Sequence, residues 1–436
     1  MPPKDLPRWI IHCDCNSFFA SVELLDHPEL KDVPVAVCGD PDGRHGIVLA
    51  KNEPAKRYGI QTAETIWQAK AKCPELTLLP PHREKYRYYY GVINDIYQEY
   101  TARVEPFSID ESWLDVTQTW QLYAESPRAL GDLLRSRVRQ ATGLTISAGV
   151  SFNKVFAKMG SDYKKPDATT LITPENFRRL LWPLPVGAML FVGRNTAARL
   201  EALGIHTIGD LARADPRRLT DALGKLGAEL SRGARGEDKA EVRRWGESDP
   251  VKSVGNSTTF KRDLKGPADL RMGLAALSDE VAGRLRRHGL YAGAVQVTIK
   301  DTQLKTIQRQ KQLAMSTHLA RDIEAAAWEL VRRSWDMTRP VRLLGVTALA
   351  LSNEPFAVQQ SLFDDAPRED PRREALEKSL DAIRGKYGRN AIAGAYLLKN
   401  SIGLEELSID EAGAGQHNDT DDGRQLTKGP LGGGRS

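Results

Sequence analysis

Two adjacent acids, Asp110 and Glu111, stand in the stretch PFSIDESWLDV (106–116), which otherwise has the composition of a β-strand. Neighbouring strand residues point to opposite faces, so these two carboxylates could share a site only at the tip of a tight hairpin. Asp14 ends a separate apolar segment, WIIHCDC, which predicts a buried strand. Anions brought together repel one another unless a cation lies between them. Oxygen ligands suit Mg²⁺, and two such ions could hold the attacking and leaving oxygens of a phosphoryl displacement.

Each of these residues also has an ordinary structural explanation. An Asp-Glu pair is usually a solvated turn, and an acid where a helix begins, such as Asp14, is commonly an N-cap. Phe19 lies off the apolar stripe of the helix predicted after Asp14, and such a residue often belongs to a secondary core. The residue pattern alone therefore leaves metal-dependent phosphate chemistry as a weak hypothesis.

The elements that would position the acids are of mixed type. Residues 8–170 alternate predicted strands and helices, which is typical of an α+β domain. Residues 171–240 carry only helical periodicity. Residues 252–355 follow the order βαββαβ, which predicts a four-stranded sheet with helices on one side. The polar, glycine-rich and acidic segment 405–436 is predicted to be disordered.

Composition limits the class of protein. A chain of 436 residues can hold roughly two to four domains. The four cysteines have no zinc-like spacing and no apolar run reaches membrane length, so we expect a reduced, cytoplasmic protein that does not enter a membrane. The net charge of +5 is small, but residues 241–350 contain 19 Lys and Arg against 12 Asp and Glu. Such a segment fits either a polyanionic partner or an ordinary solvated surface.

Three motifs carry a family resemblance. The segments HCDCNSFFASVE (12–23), FSIDESWLDVT (107–117) and AGVSFNKVFAKMGSDYKKPD (148–167) resemble those of the Y-family translesion DNA polymerases, in the DNA polymerase IV branch. The resemblance implies a multidomain α+β fold with the architecture of a right hand. Its parts would be a palm (8–18 and 80–170), fingers (19–79), a helical thumb (171–240), a linker (241–251), a βαββαβ little finger (252–355) and a C-terminal extension (356–404).

The same resemblance implies template-directed DNA synthesis of low fidelity. A primer 3′-hydroxyl would attack a deoxynucleoside triphosphate and release pyrophosphate. Two Mg²⁺ ions, which Mn²⁺ could replace, would be held by Asp14, Asp110, Glu111 and the main-chain carbonyl of Cys15. A nucleotide cyclase, which also uses paired carboxylates, and a non-catalytic DNA-binding factor are the alternatives.

The resemblance also implies where the nucleotide binds. Phe19 matches the steric gate of the family, whose ring fills the space of a ribose 2′-hydroxyl, and Phe18 precedes it. The remaining nucleotide-binding candidates are Asn52, Lys56 and Lys165. The segment AKNEPAKRYG departs from the commoner pattern, in which Tyr and Arg stand at the positions of Glu53 and Lys56. A lysine there can meet a phosphate, although without the bidentate geometry of arginine.

DNA and a protein partner complete the implied set. LFVGRNTAARLEALGIHTIGDLA (190–212) resembles a helix-hairpin-helix with one hairpin glycine, Gly193, although an ordinary helical turn competes with this interpretation. Basic residues of the predicted little finger could follow a duplex backbone: Lys252, Lys261, Arg262, Lys300, Lys305, Arg309 and Lys311. QQSLF (359–363) resembles the bacterial sliding-clamp peptide, with Gln359, Leu362 and Phe363 as contacts. We expect a nucleoid-associated monomer.

Overall fold

The structure is a computed structural model that describes residues 7–40, 46–356, 371–388, 391–392, 394 and 401–404. These residues form two compact units, and the boundary between them follows Glu247. The predicted palm, fingers and thumb lie in the first unit, and the predicted little finger lies in the second. The peptide QQSLF and the segment 405–436 lie outside the described residues. Within the described ranges, no helix is long and apolar enough to cross a membrane.

The first unit alternates strands and helices along most of its length. Its strands are β1 (Ile10–Cys15), β2 (Val35–Cys38), β3 (Val48–Lys51), β4 (Thr77–Leu79), β5 (Val104–Pro106), β6 (Glu111–Asp115), β7 (Ile146–Ser151) and β8 (Thr169–Leu171). Its helices are α1 (Phe18–Asp26), α2 (Glu53–Arg57), α3 (Ile66–Lys72), α4 (Arg83–Gln98), α5 (Pro127–Thr142), α6 (Lys154–Tyr163), α7 (Phe177–Leu181), α8 (Arg194–Ala202), α9 (Ile208–Arg213), α10 (Pro216–Leu223) and α11 (Lys225–Ala234).

The larger sheet of this unit has the strand order β5-β6-β1-β7-β8. Strand β1 lies at its centre, and all six of its residues are buried, as the apolar run predicts. The odd-numbered residues of β1 pack with α1, α4 and α5, while α6 packs on the opposite face. Helix α6 approaches β7 closely because Gly149 of β7 has no side chain. A Cβ built on Gly149 would lie 1.9 Å from the carbonyl oxygen of Ala157 in α6. The even-numbered residues of β1, His12 and Asp14, therefore face α6.

Smaller elements surround this sheet. Strands β3, β2 and β4 form a second sheet in the predicted fingers, and α7 to α11 form the predicted thumb. The chain that follows the predicted thumb packs against the larger sheet. Val242 is fully buried beside Ile10 and Trp113, and the Arg243 N–H donates to the Glu105 carboxylate at 3.0 Å. The first part of the predicted linker is thus fixed to the palm.

The second unit contains the predicted βαββαβ arrangement, which is confirmed. Its elements are β9 (Ser253–Leu264), α12 (Gly266–Arg287), β10 (Tyr291–Asp301), β11 (Thr306–Thr317), α13 (Ala320–Ser334), β12 (Val341–Ser352) and α14 (Pro371–Tyr387). The four strands pair antiparallel in the order β11-β10-β12-β9, and α12 and α13 pack on one face. Helix α14 joins α12 through ion pairs, among them Arg286 with Asp381 at 2.6 Å.

Candidate active site

The palm sheet places Asp14 directly opposite Glu111. Strands β1 and β6 pair antiparallel, and these two residues are register partners. Partners in an antiparallel pair project to the same face of a sheet, which here is the face that α6 covers. Like charges in this position destabilise the pairing of the strands. The sheet therefore needs positive charge next to this carboxylate pair.

Asp110 lies in the connection between β5 and β6, just before the first residue of β6. Its carbonyl oxygen accepts a hydrogen bond from the Cys15 N–H at 2.9 Å, and its Oδ1 accepts one from the Ser108 hydroxyl at 2.6 Å. Burial raises the pKa of Asp110 to about 6, and the charges of Asp14 and Glu111 add to this effect against the Ser108 hydrogen bond. The hairpin thus frees Asp110 from strand alternation, as the sequence predicts.

Two lysines supply the positive charge. Lys158 of α6 places its Nζ 3.0 Å from Asp14 Oδ2 and 3.2 Å from Glu111 Oε2. Lys165, which follows α6, places its Nζ 2.6 Å from the same Asp14 oxygen and 2.7 Å from Asp162 Oδ1. Burial raises the pKa of Asp14, and Lys158 and Lys165 oppose that rise. Lys158 is itself buried, yet these carboxylates raise its pKa.

His12 completes the cluster. Its Nδ1 lies 2.8 Å from the Ser161 hydroxyl oxygen, and its Nε2 lies 3.4 Å from Glu111 Oε2. Burial lowers the pKa of His12, which opposes protonation of the imidazole. One ligand atom from each of His12, Asp14 and Glu111 falls within 4.8 Å of the others, a set that does not include Asp110. No sequence motif indicated His12 or Lys158 as a site residue, although strand alternation places His12 on the face of Asp14.

The donor set fits a divalent cation. Glu111 Oε2 and His12 Nε2 are both buried without a well-aligned hydrogen bond from a described residue, and the Lys158 ammonium lies 3.2 Å from the Glu111 oxygen. Buried carboxylates are costly unless positive charge lies beside them, and a bound divalent cation would supply such charge. The Asp110 carboxylate is also buried, and it lies near the carboxylates of Asp14 and Glu111. Burial and these two charges raise its pKa. Carboxylate oxygens are the ligands that Mg²⁺ and Mn²⁺ prefer.

Phe19 is fixed in place by an aromatic stack. Its ring lies 4.0 Å from the ring of Tyr86 with an interplanar angle of 7°. The Tyr86 hydroxyl donates to Glu23 Oε1, and the His82 N–H donates to the same oxygen at 2.9 Å. Phe18, in contrast, is buried in the core. Of the two adjacent phenylalanines, Phe19 is the more exposed.

The other nucleotide-binding candidates differ in how free their side chains are. The Asn52 amide caps α2 by accepting from the Ala55 N–H at 3.1 Å, and it also bonds to the main chain of Val33 and Val35. These contacts give Asn52 a structural role. Lys56 is exposed, and its ammonium lies 2.5 Å from the Glu53 carboxylate in an exposed ion pair.

In the predicted helix-hairpin-helix, Gly193 is the N-cap of α8 with an ordinary φ of −79°. No atom of the described residues lies within 4 Å of a Cβ built there, so their packing does not require glycine. The hairpin residue with a left-handed backbone is Phe191, with a φ of 68°, and its side chain is 61% exposed. The conformation that usually selects glycine is therefore adopted by a phenylalanine.

The basic residues predicted to contact DNA fall into two groups. Arg262 is held by Asp269, with contacts of 2.5 and 3.1 Å, and Lys311 pairs with Glu329 of α13. Arg309 shares the face of Lys311 by strand alternation, which is the face that the helices cover. Lys300 lies on the open face of the sheet, whose other side chains are mostly neutral and polar. These include Ser257, Thr259, Gln296, Thr298, Gln308, Gln310, Gln312 and Thr347.

Solved structures define the class of fold. A Y-family DNA polymerase chimera, Dbh-Dpo4-Dbh, matches with a TM-score of 0.69 over 78% of this chain and 98% of that chain, at 23% identity. The fold is therefore that of the Y-family polymerases, and the predicted α+β architecture is confirmed.

Sequence comparisons identify the family. The impB/mucB/samB family matches residues 13–162, and the C-terminal domain of the same family matches residues 251–362. The DNA polymerase IV of Acetivibrio thermocellus is 43% identical over 91% of this chain and 98% of that protein. DNA polymerase IV 1 of Bacillus subtilis is 38% identical over 92% of this chain and 95% of that protein. The chain belongs to the impB/mucB/samB family of Y-family polymerases, as the motifs predict.

Proposed function

We propose that this protein is a template-directed DNA polymerase of low fidelity that performs translesion synthesis. The observation that carries the proposal is the convergence of Asp14 and Glu111 from paired strands, with Asp110 next to them, in a chain closely similar to DNA polymerase IV proteins. The substrates are primer-template DNA and a deoxynucleoside triphosphate. The reaction joins the primer 3′-hydroxyl to the α-phosphate and releases pyrophosphate.

Asp14, Asp110, Glu111 and the Cys15 carbonyl are the proposed ligands of two Mg²⁺ ions. When bound, these ions lower the pKa of the primer hydroxyl and neutralise charge on the phosphates. The protein contributes the fixed positions of the ligands. β1 and β6 hold Asp14 and Glu111 in register, and the Cys15 N–H holds the main chain of Asp110 beside them. Preorganised charge of this kind does not need to rearrange during the reaction.

Phe19 and the lysines give the site its selectivity. The Phe19 ring, stacked on Tyr86, is the proposed barrier to a ribose 2′-hydroxyl. Lys165 is the proposed triphosphate ligand, since its ammonium already lies among the carboxylates, and Lys56 is a second point charge for the phosphates. Binding of a triphosphate would give Lys165 a phosphate partner in addition to Asp14 and Asp162.

DNA contacts are proposed at both units. The main-chain N–H groups at the start of α8, after Gly193, would meet a phosphate of the duplex. Lys300 and Lys252 would do so from the second unit, through phosphate charge and without reading sequence. The peptide QQSLF would bind a bacterial sliding clamp through Gln359, Leu362 and Phe363, and the enzyme would act as a monomer. Replacing Leu362 and Phe363 together by Ala should weaken clamp binding at least about tenfold, measured by surface plasmon resonance.

Primer extension tests the polymerase proposal. Asp110→Asn and Glu111→Gln should abolish synthesis while duplex binding survives, because each variant removes a metal ligand and keeps the side-chain volume. Asp132→Asn is the matched control, since Asp132 lies on α5, which packs on the other face of the sheet. Full synthesis by either active-site variant would defeat the assignment. A product formed by the wild type without a template would favour a cyclase, and no incorporation at all would favour a non-catalytic DNA-binding factor.

A further inference from the structure

Lys158 occupies an unusual position for a lysine. Its side chain is only 12% exposed, and its ammonium contacts carboxylates from three separate elements. The distances are 3.0 Å to Asp14 Oδ2 on β1, 3.2 Å to Glu111 Oε2 on β6 and 3.1 Å to Asp162 Oδ2 on α6 itself. A lysine ammonium is seldom buried unless it is paired in this way.

Two of the three carboxylates that Lys158 contacts, those of Asp14 and Glu111, are also proposed ligands of the metal. An Mg²⁺ ligand oxygen lies about 2.1 Å from the ion, so an ion shared by Asp14 and Glu111 would sit between these two side chains. Lys165 Nζ lies 2.6 Å from Asp14 Oδ2, but the Lys158 ammonium lies close to both carboxylates. Two cations cannot share so small a space without strong repulsion. A divalent ion must therefore compete with the lysine.

We propose that Lys158 is a positioning residue that acts as a tethered counter-ion of the metal site. It stabilises the Asp14–Glu111 strand pairing, and it must move away from their oxygens before a divalent cation binds. Asp162 lies one helical turn further along α6 and is half-exposed, so it provides the ammonium with a partner outside the cleft. The inference rests on the proposed metal site, although it does not depend on the reaction performed there. If Lys158 competes with the metal in this way, the protein without DNA or nucleotide binds divalent cations weakly.

Mn²⁺ binding to the full chain, without DNA or nucleotide, tests the proposal by electron paramagnetic resonance of the free ion. Lys158→Met should bind Mn²⁺ at least about tenfold more tightly than the wild type, which corresponds to about 1.4 kcal/mol. The control is Lys154→Met on the same helix, whose lysine pairs with Glu105 at 2.7 Å and lies over the Trp113 ring. That variant should bind Mn²⁺ as the wild type does. Unchanged or weaker binding by Lys158→Met would overturn the proposal.

Adding Asp14→Asn to Lys158→Met should remove the gained affinity, and a gain that survives in the double variant would also overturn the proposal. If Lys158→Met does not fold, Lys158→Gln keeps a polar side chain and supports a second measurement. In the presence of a chelator its Tm should be lower than that of the wild type, and saturating Mn²⁺ should raise it by a larger amount. An equal rise in both proteins would refute the counter-ion role. These assays do not measure synthesis, so failure of the polymerase proposal would appear separately, in primer extension.

Discussion

The support of the Phe19 ring makes a quantitative prediction for sugar selectivity. Phe19 stacks on Tyr86 at 4.0 Å, and Tyr86 is itself buried and hydrogen-bonded to Glu23. The Phe19 ring of the proposed gate therefore packs against a side chain that is itself held in place by burial and a hydrogen bond. Tyr86→Leu removes the stack and leaves Phe19 in place, so it separates the position of the gate from its presence.

The magnitude follows from the strength of an aromatic pair. Such pairs contribute about 0.5–1.5 kcal/mol beyond the burial of their surface. If this energy holds the gate ring in position, its loss lowers the preference for dNTP over rNTP by about two- to twelvefold. Tyr86→Phe keeps the stack and should keep the preference. It should lower the free energy of unfolding by about 1–3 kcal/mol, because a buried acceptor of Glu23 loses a donor.

The assay is the ratio of kcat/KM for dNTP and rNTP in single-nucleotide incorporation. Tyr90→Leu is the matched control, since Tyr90 comes from the same helix but lies beside Trp245, with ring centroids 6.3 Å apart. It should leave the ratio unchanged. A folded Tyr86→Leu variant with the wild-type ratio would refute the reasoning, as would an equal loss of selectivity in Tyr86→Phe.

Two further predictions concern stability and DNA binding. Burial alone would raise the pKa of Glu105, but its hydrogen bonds from Lys154 and the Arg243 N–H outweigh burial and lower it. Glu105→Gln should therefore lower the free energy of unfolding by about 3 kcal/mol at pH 7 in urea titrations. Because the folded-state pKa is lowered, this difference should shrink as the pH falls below about 4.3, and a constant difference would contradict the account. Lys300→Ala should reduce the slope of the log binding constant for duplex DNA against log salt concentration by about one phosphate contact. Arg262→Ala should leave this slope unchanged, because Asp269 already pairs with that arginine. Equal slopes for the two variants would argue against this division.

The sequence predicted which acidic residues belong to the site, but it did not predict how their strands pair. The apolar run before Asp14 and the turn at Asp110 could be interpreted locally, because each depends on neighbours in the chain. The register that places Asp14 opposite Glu111 depends on residues far apart in sequence, and no local pattern contains it. Lys158 was missed for the same reason. Its spacing from Asp162 and Lys165 indicates one side of a helix, but only the packing of α6 on β1 shows what that side faces.

Charge counting does not show how the basic residues of the second unit are paired. Arg262 and Lys311 contribute to the basic excess of this segment, yet each pairs with an acid of a neighbouring helix. An ion pair of this kind depends on tertiary packing, so composition cannot show it. Phe191 is a different case. Its left-handed backbone contradicts the usual preference for glycine, and a sequence argument that follows that preference assigns the turn to Gly193 instead.

The central claim is that Asp14, Asp110 and Glu111 hold divalent ions in common. Anomalous diffraction from Mn²⁺-containing crystals, grown with primer-template DNA and a non-reactive nucleotide, measures this directly. The account predicts two peaks about 3.5–4 Å apart, each within about 2.3 Å of an oxygen from this set. Peaks that lie on other residues, or the absence of any peak beside Asp14 and Glu111, would contradict it.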